Sequence, residues 1–266
     1  MSDDAIRRWE TLTTVEAAAL ASRDPVIVLP VAAIEQHGPH LPLSTDLVIG
    51  LGLLAEAFRR LPPDLPVLAL PPQAVGTSGE HRRFAGTLSL TPELLIESMV
   101  QTGAAIRQAG MRRLVVSNSH GGNLSAIDVA ARRLREDHGL LAVKTSWFDG
   151  PRPDDAGLPD EEWRYGLHGG AVETAMMRHL RPDLVRLDAV RRFPSLDEEL
   201  SGTLQRVSAE GGASFAWLAG DLNRQGVTGD ATLGTAELGA YLVAHYGGVL
   251  AEVMQDARRF PLDRLS

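Results

Sequence analysis

The chain contains no cysteine among its 266 residues. Disulfides, thiolate nucleophiles and cysteine zinc sites are excluded together, so any bound metal must be held by histidine and carboxylate. Lysine is almost as scarce, Lys144 being the only one. It falls inside an apparent strand, which removes the usual phosphate-loop and Schiff-base lysines. No run approaches the ~18 apolar residues that a membrane helix needs. The acidic start, Met1-Ser2-Asp3-Asp4, is followed by no signal-peptide core, and the expectation is a cytoplasmic protein. Positive charge is also short: the formal net charge is −8, which argues against nucleic acid or an anionic membrane as a partner. The arginine pairs 132–133, 191–192 and 258–259 then read as solvated faces.

Regular segments alternate along the chain. Thr13-x-x-Glu16 is a capping box opening a short alanine-rich helix. PVIVL (residues 25–29) is an apolar, β-branched run of strand length. Residues 47–61 carry a helical pattern stopped by Pro62-Pro63. Residues 67–70 read as a strand. Thr91-Pro92 opens a helix that should run to Gly110. Residues 114–117 read as a strand, and Asn123 as the cap of a helix ended by Gly139. Residues 140–145 are strand again. Stretches 76–86, 149–162 and 220–232 look like loops. Strand and helix alternating over short connections predict α/β units, a mostly parallel sheet and one three-layer α/β/α domain over residues 1–266.

Chemistry-bearing residues gather just past the strand ends, where such folds place their sites. Glu35-Gln36-His37-Gly38-Pro39-His40 follows the first strand, and Asp46 comes nine residues after His37. His120-Gly121-Gly122-Asn123 follows the strand at 114–117. His168-Gly169-Gly170 precedes Glu173 in the first turn of a helix starting near Ala171. In an extended segment residues i and i+2 point the same way, so Glu35 and His37 can face one cavity. Glu35, His37, Asp46, His120 and Glu173 suffice for two divalent ions if one carboxylate bridges. Asp46 could instead be the N-cap of the following helix. His40, His81, His138, His179 and His245 are read as core or surface residues.

At these positions the sequence resembles the creatininase (creatinine amidohydrolase) family. The resemblance rests on EQHGPHLPLSTD (35–46), SNSHGGN (117–123) and HGGAVET (168–174), supported by GTSGEHRRFAGT (76–87) and GVTGDATLGTAELG (226–239). It implies a three-layer α/β fold, a binuclear Zn, Mn or Fe centre, amide hydrolysis, and a homo-oligomer, often a hexamer. Carried over by position, Glu35, His37, Asp46 and His120 are ligands, Asp46 bridges, and His168 is the acid/base residue near the leaving nitrogen. Two departures argue against creatinine itself as substrate. Creatinine hydrolases place a glutamate two residues after the second-motif histidine, where this chain has Gly122; Glu173 is taken as its substitute. They also place Trp-Asp shortly before the third-motif histidine, where this chain has Trp163 followed by Arg164 and Tyr165.

The expected activity is hydrolysis of a small non-protein or cyclic amide, with metal-activated water as nucleophile. His168 then protonates the departing nitrogen, and Glu173 belongs to the same catalytic group. The amides of Gly121 and Gly122, Asn123 and Ser78 are the expected substrate contacts. Relatives keeping HGGN include a formamide deformylase and a peptidase of peptide-derived cofactor maturation, and SGEHRRFAGT resembles the latter. A serine hydrolase lacks its G-x-S-x-G elbow, a thermolysin-like protease its H-E-x-x-H, and a dinucleotide fold its G-x-G-x-x-G. A catalytically inactive metal- or ligand-binding scaffold is the reading from another class. Against it, every proposed ligand is present beside a candidate proton donor.

Overall fold

A computed structural model describes residues 5–265; the acidic Met1–Asp4 segment lies outside the described residues. The strands are β1 (Val26–Val31), β2 (Val67–Ala69), β3 (Arg113–Asn118), β4 (Leu141–Ser146), β5 (Arg192–Phe193) and β6 (Gly229–Asp230). The helices are α1 (Thr14–Ala21), α2 (Thr45–Arg60), α3 (Pro92–Gln108), α4 (Leu124–His138), α5 (Asp160–Tyr165), α6 (Ala171–Leu180), α7 (Leu196–Leu200), α8 (Ala219–Leu222) and α9 (Ala236–Arg259). Among the described residues no helix is long and apolar enough to cross a membrane.

Local signals explain most of these boundaries. The Thr13 hydroxyl accepts from the Glu16 amide while the Glu16 carboxylate accepts from the Thr13 amide, closing the capping box on α1. Thr91 caps α3 with Pro92 as its first residue. Gly139 takes the left-handed conformation, φ 66°, that ends α4. Asp46 is not an N-cap: α2 begins at Thr45 after Ser44, and Asp46 is its second residue. Asn123 occupies the position before α4 without capping it, because its side chain is bonded elsewhere. Two of the expected loops also hold structure, since α5 starts at Asp160 and residues 220–232 contain β6.

The main sheet has four parallel strands in the order β2-β1-β3-β4, and β5 and β6 form a separate antiparallel pair. All six residues of β1 are buried, as a strand covered on both faces must be. Successive side chains leave the sheet on opposite sides. Ile27, Leu29, Val31, Leu114 and Val116 pack with Leu95, Met99 and Ile106 of α3 and Ile127 and Leu134 of α4. Val26, Val28, Val67 and Val115 face the other way, onto Leu54 and Phe58 of α2 and Leu250 and Met254 of α9. Each such side chain, fully buried, contributes about 1.5–3 kcal/mol. The result is a mostly parallel sheet between two helical layers. A third cluster joins α2, α6 and α9 through Ile49, Leu53, Met176, Leu242 and Tyr246, and so fixes α6 against the sheet layer.

The strand order locates the site. From β1 the chain passes through α2 to β2 on one side, then through α3 across to β3 on the other. The crevice beyond the carboxyl ends of β1 and β3 is therefore the switch point of the sheet.

Candidate metal centre

The segment after β1 is turned back on itself. The Glu35 amide donates to the Leu43 carbonyl at 2.9 Å, and His37 bridges to Leu41, which returns the chain to the start of α2. Asp46 thereby meets His37, with Oδ1 3.4 Å from Nε2. Gly38 and Gly169, both at φ +68°, are held against the same wedge: a Cβ on either would lie 2.6 or 2.5 Å from the Val227 side chain. Glycine is required at both, on conformation and on space. Glu162 of α5 anchors the third motif, its buried carboxylate accepting from the Ala171 amide at 2.7 Å and the Asp230 amide at 2.6 Å.

These constraints bring five expected residues together. Glu35 and His37 are fully buried, Asp46 and His120 nearly so. His120 Nε2 stands 3.2 Å from Glu35 Oε2, and His120 Nδ1 3.7 Å from Asp46 Oδ2. Glu173 Oε2 accepts from the Gly169 amide at 2.6 Å, leaving Oε1 3.9 Å from His37 Nε2. His168 lies with its ring 4.1 Å from that of His37, Nε2 donating to the Gln36 carbonyl at 2.8 Å and Nδ1 3.7 Å from Glu35 Oε1. Asp46 thus stands between the two imidazoles, His37 and His120.

Neighbouring hydrogen bonds fix which nitrogen of each ring faces inward. The Glu35 carbonyl takes the proton of His37 Nδ1 at 3.1 Å, so the lone pair of Nε2 points at Asp46 and Glu173. The Thr77 carbonyl similarly takes a proton from His120 Nε2 at 2.8 Å and directs Nδ1 toward Asp46. Such partners orient ligand histidines and set their tautomer.

Two members of the cluster were not expected. His81, read from the sequence as core or surface, is buried with Nε2 3.4 Å from Glu35 Oε1 and its ring 4.3 Å from that of His168. Glu80 Oε1 lies 3.5 Å from His120 Nε2. Both come from the 76–87 segment, where the available signal was an adjacent Glu-His pair between glycines. Ser78, the residue singled out there, is buried with Oγ 3.5 Å from His120 Nε2. Gly121 and Gly122 are exposed on a tight turn after His120, and Gly121 faces open space. Asn123 differs: it is fully buried, Oδ1 accepting from Thr77 and Nδ2 donating to the Ala32 carbonyl. Its amide staples the 76–87 segment to the end of β1 and has no polar atom left over for substrate.

The electrostatics point to a missing counter-charge. Among the described residues, the ionic partners of Glu35, Asp46, Glu80 and Glu173 are all histidines. Glu35 Oε1 and Oε2, His37 Nε2 and Asp46 Oδ2 are buried without a hydrogen-bond partner. A buried carboxylate left in that state is costly unless an ion completes it. Burial pushes the Glu35 carboxyl up to about 8. Burial opposes charge on His37, but Asp46, Glu173 and Glu35 outweigh it and push that imidazole up to about 10. Burial, with His37 and His81 nearby, holds His168 well below its ordinary value, hence neutral. Among the described residues three sets have ligand atoms within 4.8 Å of one another: Glu35-His37-His168, Glu35-Glu80-His120 and His37-Asp46-Glu173. With unpartnered oxygens and one inward imidazole nitrogen, these residues fit hard-to-intermediate divalent ions such as Mn or Zn.

Comparison with known proteins agrees with this geometry. The creatinine amidohydrolase family model matches residues 10–254. The chain belongs to the creatininase family. A mycofactocin precursor peptide peptidase from Mycobacterium tuberculosis is 34% identical over 239 residues, covering 88% of this chain and 86% of that protein. A creatinine amidohydrolase from Pseudomonas putida is 31% identical over 190 residues, covering 66% and 72%. A manganese creatininase structure superposes with a TM-score of 0.75 at 26% identity, covering 96% of this chain and 99% of that one. A mutant creatininase of Zn–Zn type gives 0.75 at 27%, covering 95% and 98%. The chain is thus a creatininase-family amidohydrolase, and the expected fold class is borne out.

Proposed function

We propose that this creatininase-family protein is a metal-dependent hydrolase of an amide bond in a small peptide-derived substrate, with two divalent ions held by Glu35, His37, Asp46, His120 and Glu173. The observation that carries the metal centre is the set of buried, unpartnered atoms of Glu35, His37 and Asp46 at the switch point of the sheet. Resemblance to peptidases acting on a cofactor precursor peptide, together with Gly122 and the missing Trp-Asp pair, favours a peptide-derived amide over creatinine.

Divalent ions at this place supply an activated water at neutral pH and polarise the substrate carbonyl. The chain supplies the rest. Gly121 faces open space and leaves room for the substrate to approach beside His120, and backbone amides of this turn are the candidate donors to a developing oxyanion. His168 holds its Nε2 proton on the Gln36 carbonyl and presents a neutral Nδ1 to the cluster. That atom accepts a proton as attack proceeds and returns it to the departing nitrogen, which leaves poorly unless protonated. The arrangement does not support His168 as merely a brace for Glu173, because the Gly169 amide holds that carboxylate.

The test is elemental analysis of protein purified without added metal, followed by assay of the loaded protein on short peptides, formamides and creatinine. Two ions per chain and turnover confined to peptides support the proposal. Turnover of creatinine alone moves the activity to cyclic amides. A metal-loaded protein silent on the whole panel favours a scaffold, and a protein that takes up no ion removes the metal centre.

A further inference from the structure

We infer that Glu80 is a metal-binding residue, reaching the Glu35-His120 side of the site through space that glycine at position 122 leaves open. The inference rests on the metal centre proposed above and assigns a ligand to it. Glu80 sits in a single tight turn, Gly79–His81, and Oε1 lies 3.5 Å from His120 Nε2 and 3.9 Å from His81 Nε2. One ligand atom each from Glu35, Glu80 and His120 falls within 4.8 Å of the others. Glu35, the member buried completely, has no hydrogen-bond partner on either oxygen, and its Oε2 lies 3.2 Å from His120 Nε2.

Position 122 provides the independent reason. A Cβ at Gly122 would lie 2.6 Å from Glu80 Oε1, 2.5 Å from His120 Nε2 and 2.4 Å from the Thr77 carbonyl. A side chain there would press on the Thr77 backbone and the His120 ring as well as on the Glu80 carboxylate. Gly122 lies on an exposed turn, and the space it leaves open is the one through which the Glu80 carboxylate approaches His120. Among the described residues the ionic partners of Glu80 are His81 and His120, which leaves its charge for a cation. With Glu80 counted, one side of the site offers Glu35, Glu80, His120 and Asp46, and the other His37, Asp46 and Glu173. Four carboxylates then balance two dications, where the three expected from the sequence leave an excess of positive charge.

Glu80→Gln separates a ligand from a bystander. Glutamine keeps the side chain's size and one oxygen at the same place and removes only the charge. If Glu80 only supports His120 from outside the coordination shell, the loss stays within the ~10–100-fold that outer-shell partners carry. As a ligand, its loss weakens one ion by more than that and leaves the other in place. The measurement is zinc titration against a chromophoric chelator, with elemental analysis after dialysis and melting of the metal-free proteins as a check on folding. Glu80→Ala is expected to weaken the same ion at least as much as Glu80→Gln. A loss in Glu80→Gln no greater than the outer-shell range, or spread equally over both ions, overturns the inference. A parent protein that binds no ion refutes the metal centre itself, which is a distinguishable outcome.

Discussion

Replacing Asp46 by asparagine removes one charge from the middle of the cluster while keeping the side chain's volume. Asp46 Oδ1 is 3.4 Å from His37 Nε2 and Oδ2 is 3.7 Å from His120 Nδ1, so the loss is felt on both sides. Unit charges ~4 Å apart at an effective dielectric near 20 interact by about 4 kcal/mol. At about 1.4 kcal/mol per decade, each ion should bind roughly a thousandfold more weakly. A parent holding an ion at 1,000 times its Kd gains about 4.1 kcal/mol of stability from it, and the variant at the same metal concentration about 0.4. For a chain of this size about 1 kcal/mol corresponds to 2–4 °C, so a metal-induced rise of roughly 8–16 °C per ion should shrink to 1 or 2 °C. Without metal the substitution eases the repulsion between Asp46 and the Glu35 carboxyl but also loses the attraction of Asp46 for the His37 imidazole, so the metal-free melting of both proteins is the baseline from which each metal-induced rise is read. The assay is melting with and without zinc, paired with chelator titration. An Asp46→Asn protein that keeps both ions and the full metal-induced rise refutes the reasoning.

His168→Ala should leave metal content at the parent value and lower kcat by about 10²–10⁴-fold, the usual weight of a positioned proton carrier; unchanged turnover removes His168 from the chemistry. The metal-free protein should lose stability as pH rises. The folded state holds protons on Glu35 up to about 8 and on His37 up to about 10, whereas the unfolded chain releases them near 4.5 and 6.5. Between each pair of values the folded state binds more protons, so both contributions fall with increasing pH. Melting temperature should drop from pH 6 to 10 without metal and flatten when zinc or manganese is added. A profile that rises across that interval contradicts the assignment.

Much of this architecture was legible because its signals are local. Val26–Val31 is buried on both faces, and such a strand has to be an unbroken apolar run. Thr13, Thr91 and Gly139 mark helix ends through bonds or angles within a few residues. Glu35 was conspicuous for the same kind of reason, as a carboxylate directly after a buried strand. Other signals are degenerate. An aspartate ahead of an apolar helix reads equally as a cap or as a ligand, and only the return of the chain onto His37 brings Asp46 into the cluster in place of a cap. Asn123 has the residue type and position of a cap, yet the approach of Thr77, 46 residues away, claims its side chain. Glu80 and His81 were missed because nothing within their own segment distinguishes them from a solvated turn. Their partners Glu35 and His120 arrive by strand order, and strand order is not written in any one segment.

The same topology explains why the site can carry so much unpaired charge. Its carboxylates come from four segments: the turn after β1, the start of α2, the 76–87 loop and the start of α6. Each is held by contacts that do not involve the carboxylates' mutual repulsion. Glu35 is carried by its amide's bond to Leu43, Asp46 by a helix packed through Ile49 and Leu53, and Glu173 by the Gly169 amide and the core beneath Met176. The hydrophobic layers therefore offset a cost that the cluster itself cannot repay. With the scaffold held this way, little backbone needs to be ordered when an ion arrives. Binding energy can then appear as affinity and as a rise in melting temperature, rather than being spent on folding the site. The expectation sets this protein apart from small metal domains that unfold without their ion: chelation should lower its melting temperature while leaving the cooperative transition of the α/β core intact.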